Sequence, residues 1–134
     1  MSPDSAERNR RSVYVYVKRN LRYPFFAAFD APDRNETCGR RFATTTAPQA
    51  LMLLNDSLLI GYAKTVARRV TKETGDDADK AITVAFNLAL GREPDTEEKA
   101  AVTKFVQEHK GGFEAALTDV CHTLLNLNEF VYVD

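Results

Sequence analysis

Between residues 46 and 127 apolar side chains recur every three or four positions, and each run ends at a glycine, a proline or an amide–acid cluster. That is the pattern of successive amphipathic helices with marked ends. Thr46-Ala47-Pro48-Gln49 reads as a capping box, with Thr46 at the N-cap, Gln49 reaching back and Pro48 in the first turn, where a missing N–H costs nothing. A short apolar helix follows over residues 50–54, and Asn55-Asp56-Ser57 interrupts it and offers a new cap. Leu59, Tyr62, Ala63, Val66 and Val70 then share one helical face, with Lys64, Arg68 and Lys72 on another. Gly75 is the expected stop, and Asp76 and Asp77 open a helix carried by Ile82, Ala85, Phe86 and Ala89. Gly91-Arg92-Glu93-Pro94 turns the chain into Asp95-Thr96-Glu97-Glu98, acids at the positive end of a helix whose inner stripe is Val102, Phe105, Val106 and His109. Gly111-Gly112 closes it, and a last helix carries Phe113, Leu117, Val120, Cys121, Leu124 and Leu127.

The two ends read differently. Val13-Tyr14-Val15-Tyr16-Val17 is dense in β-branched and aromatic residues and predicts a short strand, although Val13, Val17 and Leu21 keep a helical spacing open. Residues 130–134 predict an extended tail, and the two segments are candidates for a two-stranded clasp that satisfies both sets of ladder groups. Residues 23–41 predict an irregular loop pinned by Phe25, Phe26 and Phe29, with one helical turn after Pro24. The expected organisation is a disordered lead-in over 1–11 and a single helical domain over 12–134. Within it lie a strand-like segment and loop (12–45), helices (46–129) and a tail (130–134). The fold class is mainly α, a compact antiparallel bundle of about four to five helices.

Composition narrows this further. At 134 residues, 44% hydrophobic and 28% charged, the chain builds a core without disulfides or metal, and disordered, collagen-like and disulfide-scaffold classes are excluded. No apolar stretch approaches the roughly 18–20 residues of a bilayer span. The polar N-terminus carries no signal peptide, which predicts a cytoplasmic chain if it stands alone and an exported one only as a fragment of a larger protein. Cys38 and Cys121 lack CxxC spacing, so no zinc or redox motif is expected, and two free thiols are favoured over one disulfide. The net charge of -1 conceals a split. Residues 1–69 hold 12 basic and 6 acidic side chains, a surplus of six positive charges, and residues 70–134 hold 6 basic and 13 acidic, a surplus of seven negative ones.

Candidate chemistry is sparse. Covalent haem attachment needs Cys-x-x-Cys-His, but Thr118 stands where the first cysteine of a Cys121-His122 motif belongs, so the expectation is a buried thiol beside a surface histidine. There is no GxSxG, HExxH, P-loop or GxGxxG run. His109 on an inner stripe reads as a packed histidine, and Glu97 and Glu98 read as helix-start acids. No catalytic, cofactor or metal residue is assigned, and the chain is expected not to be an enzyme. The basic half is the functional hint, since ten of its twelve cations are arginines suited to carboxylate or phosphate capture. Arg40 and Arg41 beside Thr44, Thr45 and a helix N-terminus form the candidate anion spot, with Arg19, Arg22, Arg68 and Arg69 as further candidate contacts. A companion domain or protein partner is expected. An isoelectric point near 6.1 speaks against nucleic acid, which stays open as a weaker reading.

Four motifs in order, RRSVYVYVKRNLRYPFFAAFDAPD (10–33), CGRRFATTTAPQALMLLN (38–55), AFNLALGREPDTEE (85–98) and LLNLNEFVYVD (124–134), carry a family resemblance. The chain resembles the C-terminal part of the planctomycete-specific domain of unknown function that accompanies planctomycete cytochrome-c-like domains in large exported proteins. The resemblance implies no established activity and places any haem module elsewhere in such proteins. The reading that follows is a noncatalytic scaffold or interaction module. The alternative is an accessory segment of a catalytic or haem-associated exported protein whose site lies mainly in other domains.

Overall fold

Alanine decides where the helices can approach. Ala63 and Ala67, four apart, and Ala81 and Ala85, again four apart, are wholly buried, so two helices present narrow faces to the core. The computed structural model describes residues 12–14, 24–31, 39, 44 and 46–132. They form seven α-helices: α1 (Pro24–Ala28), α2 (Ala47–Asn55), α3 (Ser57–Thr74), α4 (Ala78–Leu90), α5 (Thr96–Glu108), α6 (Phe113–Asn126) and α7 (Asn128–Val131). The chain divides into two units, Met1–Gln49 and Ala50–Asp134.

In the second unit α6 is the central helix, packing against α3, α4, α5 and α7. Its Leu117, Val120, Cys121 and Leu124 meet Ala63, Ala67 and Val70 of α3 and Ala81, Ile82, Ala85 and Phe86 of α4 in one buried cluster. This is the mainly α bundle expected, and its helix ends follow local chemistry. Asp56 accepts from the Leu58 N–H at 2.7 Å, Asp77 from the Lys80 N–H at 3.1 Å, and Asp95 from the Glu98 N–H at 2.7 Å. Each satisfies a donor the helix leaves unpaired. Gly75 and Gly91 end α3 and α4 with backbone N–H bonds to Thr71 and Asn87.

The described part of the first unit contains α1, the helical turn expected after Pro24. Its Phe25 stacks with Phe29, ring centroids 4.8 Å apart. Asp30 follows with a positive φ of 54°, a backbone region that Asp tolerates because its short side chain can hydrogen-bond locally.

The strand and extended-tail expectations are corrected where the residues are described, and the clasp between 13–17 and 130–133 falls partly on residues 15–17 and 133, outside the described ones. Ser12–Tyr14 is a turn of 3-10 helix, and no strand occurs among the described residues; residues 15–17 lie outside them. At the other end Phe130 and Val131, expected in an extended tail, belong to α7. Leu127 breaks the helix with an extended backbone, its carbonyl accepts the Phe130 and Val131 N–H groups, and Asn128 accepts from Tyr132. Those local bonds override β propensity, which is a weak preference of a packed surface. Two residues placed on apolar helical faces also move outward. Tyr62 is 37% and Phe105 44% exposed, because the core faces centre on Ala63/Ala67/Val70 in α3 and on half-buried Val102 and Val106 in α5.

Leu117→Ala removes a fully buried side chain from the helix that four others pack on, and is expected to cost about 2–5 kcal/mol in urea unfolding. Leu88→Ala, at a site 39% exposed, is expected to stay within about 1 kcal/mol.

Candidate functional site

The anion spot expected beside the N-terminus of α2 already contains a carboxylate. Asp30 accepts the Thr44 N–H at 2.6 Å and the Thr44 hydroxyl at 2.7 Å, and these bonds hold its carboxyl below the usual carboxylate range. Gln49, 2% exposed, accepts the Thr46 N–H at 2.9 Å and donates to the Ala28 carbonyl at 2.8 Å. The returning half of the expected capping box is therefore present, and the same buried amide ties α2 back to α1. Of the residues assigned to this spot, Thr44 uses both donors on Asp30, while Arg40, Arg41 and Thr45 lie outside the described residues, as do Arg19 and Arg22.

The remaining candidates, Arg68 and Arg69, are exposed on α3. Helical spacing puts Leu58, Tyr62, Thr65, Arg69 and Lys72 along one strip with Gly61 and Arg68 at its edge, opposite buried Ala63, Ala67 and Val70. This outward face runs from apolar at the helix start to basic at its end. Arg68 lies 3.6 Å from Glu114 of α6, and Arg69 bonds Glu73 at 3.0 Å, with both arginine side chains at least 65% exposed. Ion pairs this exposed contribute about 0–1 kcal/mol, so an incoming carboxylate can replace either partner at little cost.

One polar constellation was not foreseen. Arg92, just after the Gly91 stop, binds Glu98 through Nη1 at 2.7 Å and Nη2 at 2.8 Å, and Glu129 through Nε at 2.8 Å and Nη2 at 3.0 Å. Nη1 also donates to the Glu93 carbonyl at 3.1 Å. A guanidinium has five N–H donors, and these five bonds use them all. The Phe86 ring lies 5.8 Å from its central carbon. Glu98 Oε2 also accepts the Asp95 N–H at 2.9 Å, completing a reciprocal capping box. Bonding to Arg92 draws Glu98 down to about 2 and lowers Glu129, while the two carboxylates raise Arg92. This knot joins the α4–α5 turn to α7 and has no donor left for a ligand. Its D-x-x-E half was legible at residues 95–98, whereas nothing local signals a partner 37 positions away.

His109 and the thiol are similarly engaged, whereas His122 Nε2 is buried without a hydrogen-bond partner. His109 Nε2 lies 3.0 Å from Asp119 Oδ2, and Nδ1 accepts the Gly111 N–H at 3.0 Å, so both ring nitrogens are hydrogen-bonded within the fold. Cys121 is free and 1% exposed, and burial pushes its thiol up to about 12, leaving it protonated at neutral pH. Cys38 lies outside the described residues. His122, expected at the surface, is half-buried with Nε2 inside, because its position one residue after Cys121 turns it only partly from the core.

The family model for a protein of unknown function (DUF1553) matches residues 2–106, which include three of the four motifs singled out in the sequence and stop within α5. No curated protein and no solved structure matches the chain.

Glu98 titrates near 2 in the folded chain against an ordinary 4.5, so its contribution is fully present above about pH 5 and is lost as pH falls toward 2. Arg92→Met is therefore expected to lower Tm by several degrees at pH 7, with the gap to the parent chain narrowing steadily from pH 5 to pH 2.5 in calorimetric scans.

Proposed function

The chain belongs to the DUF1553 family of proteins of unknown function, and on that premise we propose that it is a noncatalytic protein-interaction module whose outward α3 face receives an acidic partner segment. The observation that carries this reading is the face itself, with Leu58 and Tyr62 at one end and Arg68, Arg69 and Lys72 at the other. It is backed by the core, where Ala63, Ala67 and Val70 are fully buried. A rigid backing lowers the ordering cost of association. The fitting partner is a segment with an apolar face that runs into Asp or Glu, able to cover Leu58 while pairing its acids with the arginines. Gly61, exposed on the same face, supports this: a Cβ there would meet nothing within 4 Å, so the bare backbone leaves a flat spot for a close approach. The noncatalytic part of the reading rests on the occupied nitrogens of His109 and the buried, protonated thiol of Cys121.

The test titrates the chain with a fluorescent acidic amphipathic peptide, its charge-reversed twin, and single-stranded and duplex DNA, at about 50 and 200 mM salt. The expected result is saturable binding of the acidic peptide, weakened about tenfold or more by combining Arg68→Glu, Arg69→Glu and Lys72→Glu, with helix content unchanged. Absence of saturable binding, binding unaffected by charge reversal, or preference for DNA overturns the proposal.

A further inference from the structure

The connection between α5 and α6, residues 109–112, holds one hydrogen bond whose chemistry is decided by protonation. The Gly111 amide is a fixed backbone donor, and it points at His109 Nδ1 at 3.0 Å. That nitrogen must therefore present a lone pair, which puts the proton of the neutral ring on Nε2, facing Asp119 Oδ2 at 3.0 Å. The ring sits directly against the glycine, since a Cβ on Gly111 would lie 2.8 Å from His109 Cε1 and 3.0 Å from Ala115 Cβ. Phe105 of α5 closes the other side edge-on, with ring centroids 5.3 Å apart. Gly112, with φ of 84°, is the N-cap of α6 and makes no side-chain cap bond, so the His109 bond to the Gly111 amide is the side-chain tie just ahead of that helix.

We infer that this connection is a pH-operated latch: neutral His109 fastens the Gly111 amide, and protonation of the ring releases the Gly111–Gly112 hinge while strengthening its hold on Asp119. The released state follows from donor counting. An imidazolium has N–H at both nitrogens, so Nδ1 can no longer accept from Gly111 and two donors face each other. On the opposite edge the Nε2 contact becomes a charge-assisted bond to a carboxylate, so the ring stays with α6 and the glycine contact opens. The charged groups nearest the ring along the chain are Lys104 and Glu108 on α5, Lys110 in the connection, and Glu114 and Asp119 on α6, with Arg68 of α3 lying 3.6 Å from Glu114; α5 also carries Glu97, Glu98 and Lys99 in its first turn, and α6 the titratable His122 one turn beyond Asp119. Of these, Asp119 is the group in hydrogen-bond contact with the ring. The latch is independent of the docking role proposed for α3.

The test follows the full-length, nitrogen-15-labelled chain by NMR between about pH 8 and pH 5, the range in which histidines change charge. Long-range proton–nitrogen correlations are expected to place the neutral ring's proton on Nε2. The Gly111 amide shift is expected to move with the same midpoint as the His109 ring. Gly111 exchange protection, corrected for intrinsic rates, is expected to fall roughly tenfold on protonation, as for loss of one hydrogen bond. His109→Asn gives an independent arm, because an asparagine carbonyl accepts the amide two residues on as an Asx turn and does not titrate. That variant is expected to keep Gly111 protected at both pH values. A proton on Nδ1 of the neutral ring, a Gly111 amide that ignores the His109 titration, or a variant with the parental pH response overturns the latch.

Discussion

Everything in the second unit depends on how closely α3, α4 and α6 approach, and that distance is set by alanine. Ala63, Ala67, Ala81 and Ala85 expose nothing to solvent, and the larger side chains filling the space between them, Ile82, Val70, Leu117 and Cys121, are also fully buried or nearly so. An interior at near-crystalline density leaves no room for a slack helix, so the side chains on the outer faces are held in fixed relation to one another. α5 shows the contrast. It buries no residue completely and touches the bundle through half-buried Val102 and Val106. Its ends are held by polar chemistry instead, the Asp95–Glu98–Arg92 knot at its start and the His109–Gly111 contact at its finish.

This division explains why groups that look reactive in the sequence are engaged in the fold. Arg92 has no spare donor, His109 has no spare nitrogen, and Thr44 and Asp30 satisfy one another. Each is the kind of side chain that signals binding or catalysis when read alone. In a helical protein with glycine-terminated connections, the same side chains are also the means of satisfying helix ends and uncovered backbone. The arginines of α3 differ, since their partners are exposed, weakly held carboxylates on a surface that faces solvent.

Helix ends were legible because their physics is local. The cap at Asp95, the return of Gln49 to Thr46 and the stops at Gly75 and Gly91 each involve residues within four positions, so a pattern of side-chain types suffices. The errors came from tertiary context. Tyr62 and Phe105 satisfy the apolar period, but which arc of a helix faces inward depends on the neighbouring helix. Phe130 and Val131 look like a strand, and local backbone bonds around Leu127, together with the Glu129–Arg92 contact, make them a helical turn. Of the eight residues named as candidate contacts, the described structure places Arg68 and Arg69 together on an open face and puts Thr44 in an internal bond. The long-range pairs Arg92–Glu129 and His109–Asp119 carry no sequence signature, since each is made by packing two separate helices or turns.

The charge split takes on a different meaning once each acid is located. Asp77, Asp95 and Glu98 cap helices, Glu129 is bound to Arg92, and Asp119 is held by His109, so five of the thirteen acids after residue 70 are committed to holding the fold. Carboxylates fixed in such bonds interact poorly with an external cation, because binding it would first break a satisfied contact. The basic side chains of α3 are under no such constraint. They lie at the last turns of a helix, where cations also favour the negative end of its dipole, and their exposed pairs contribute little to stability. A nearly neutral chain thus carries an exposed basic strip at the end of α3, while several of its acids are held in helix caps and ion pairs.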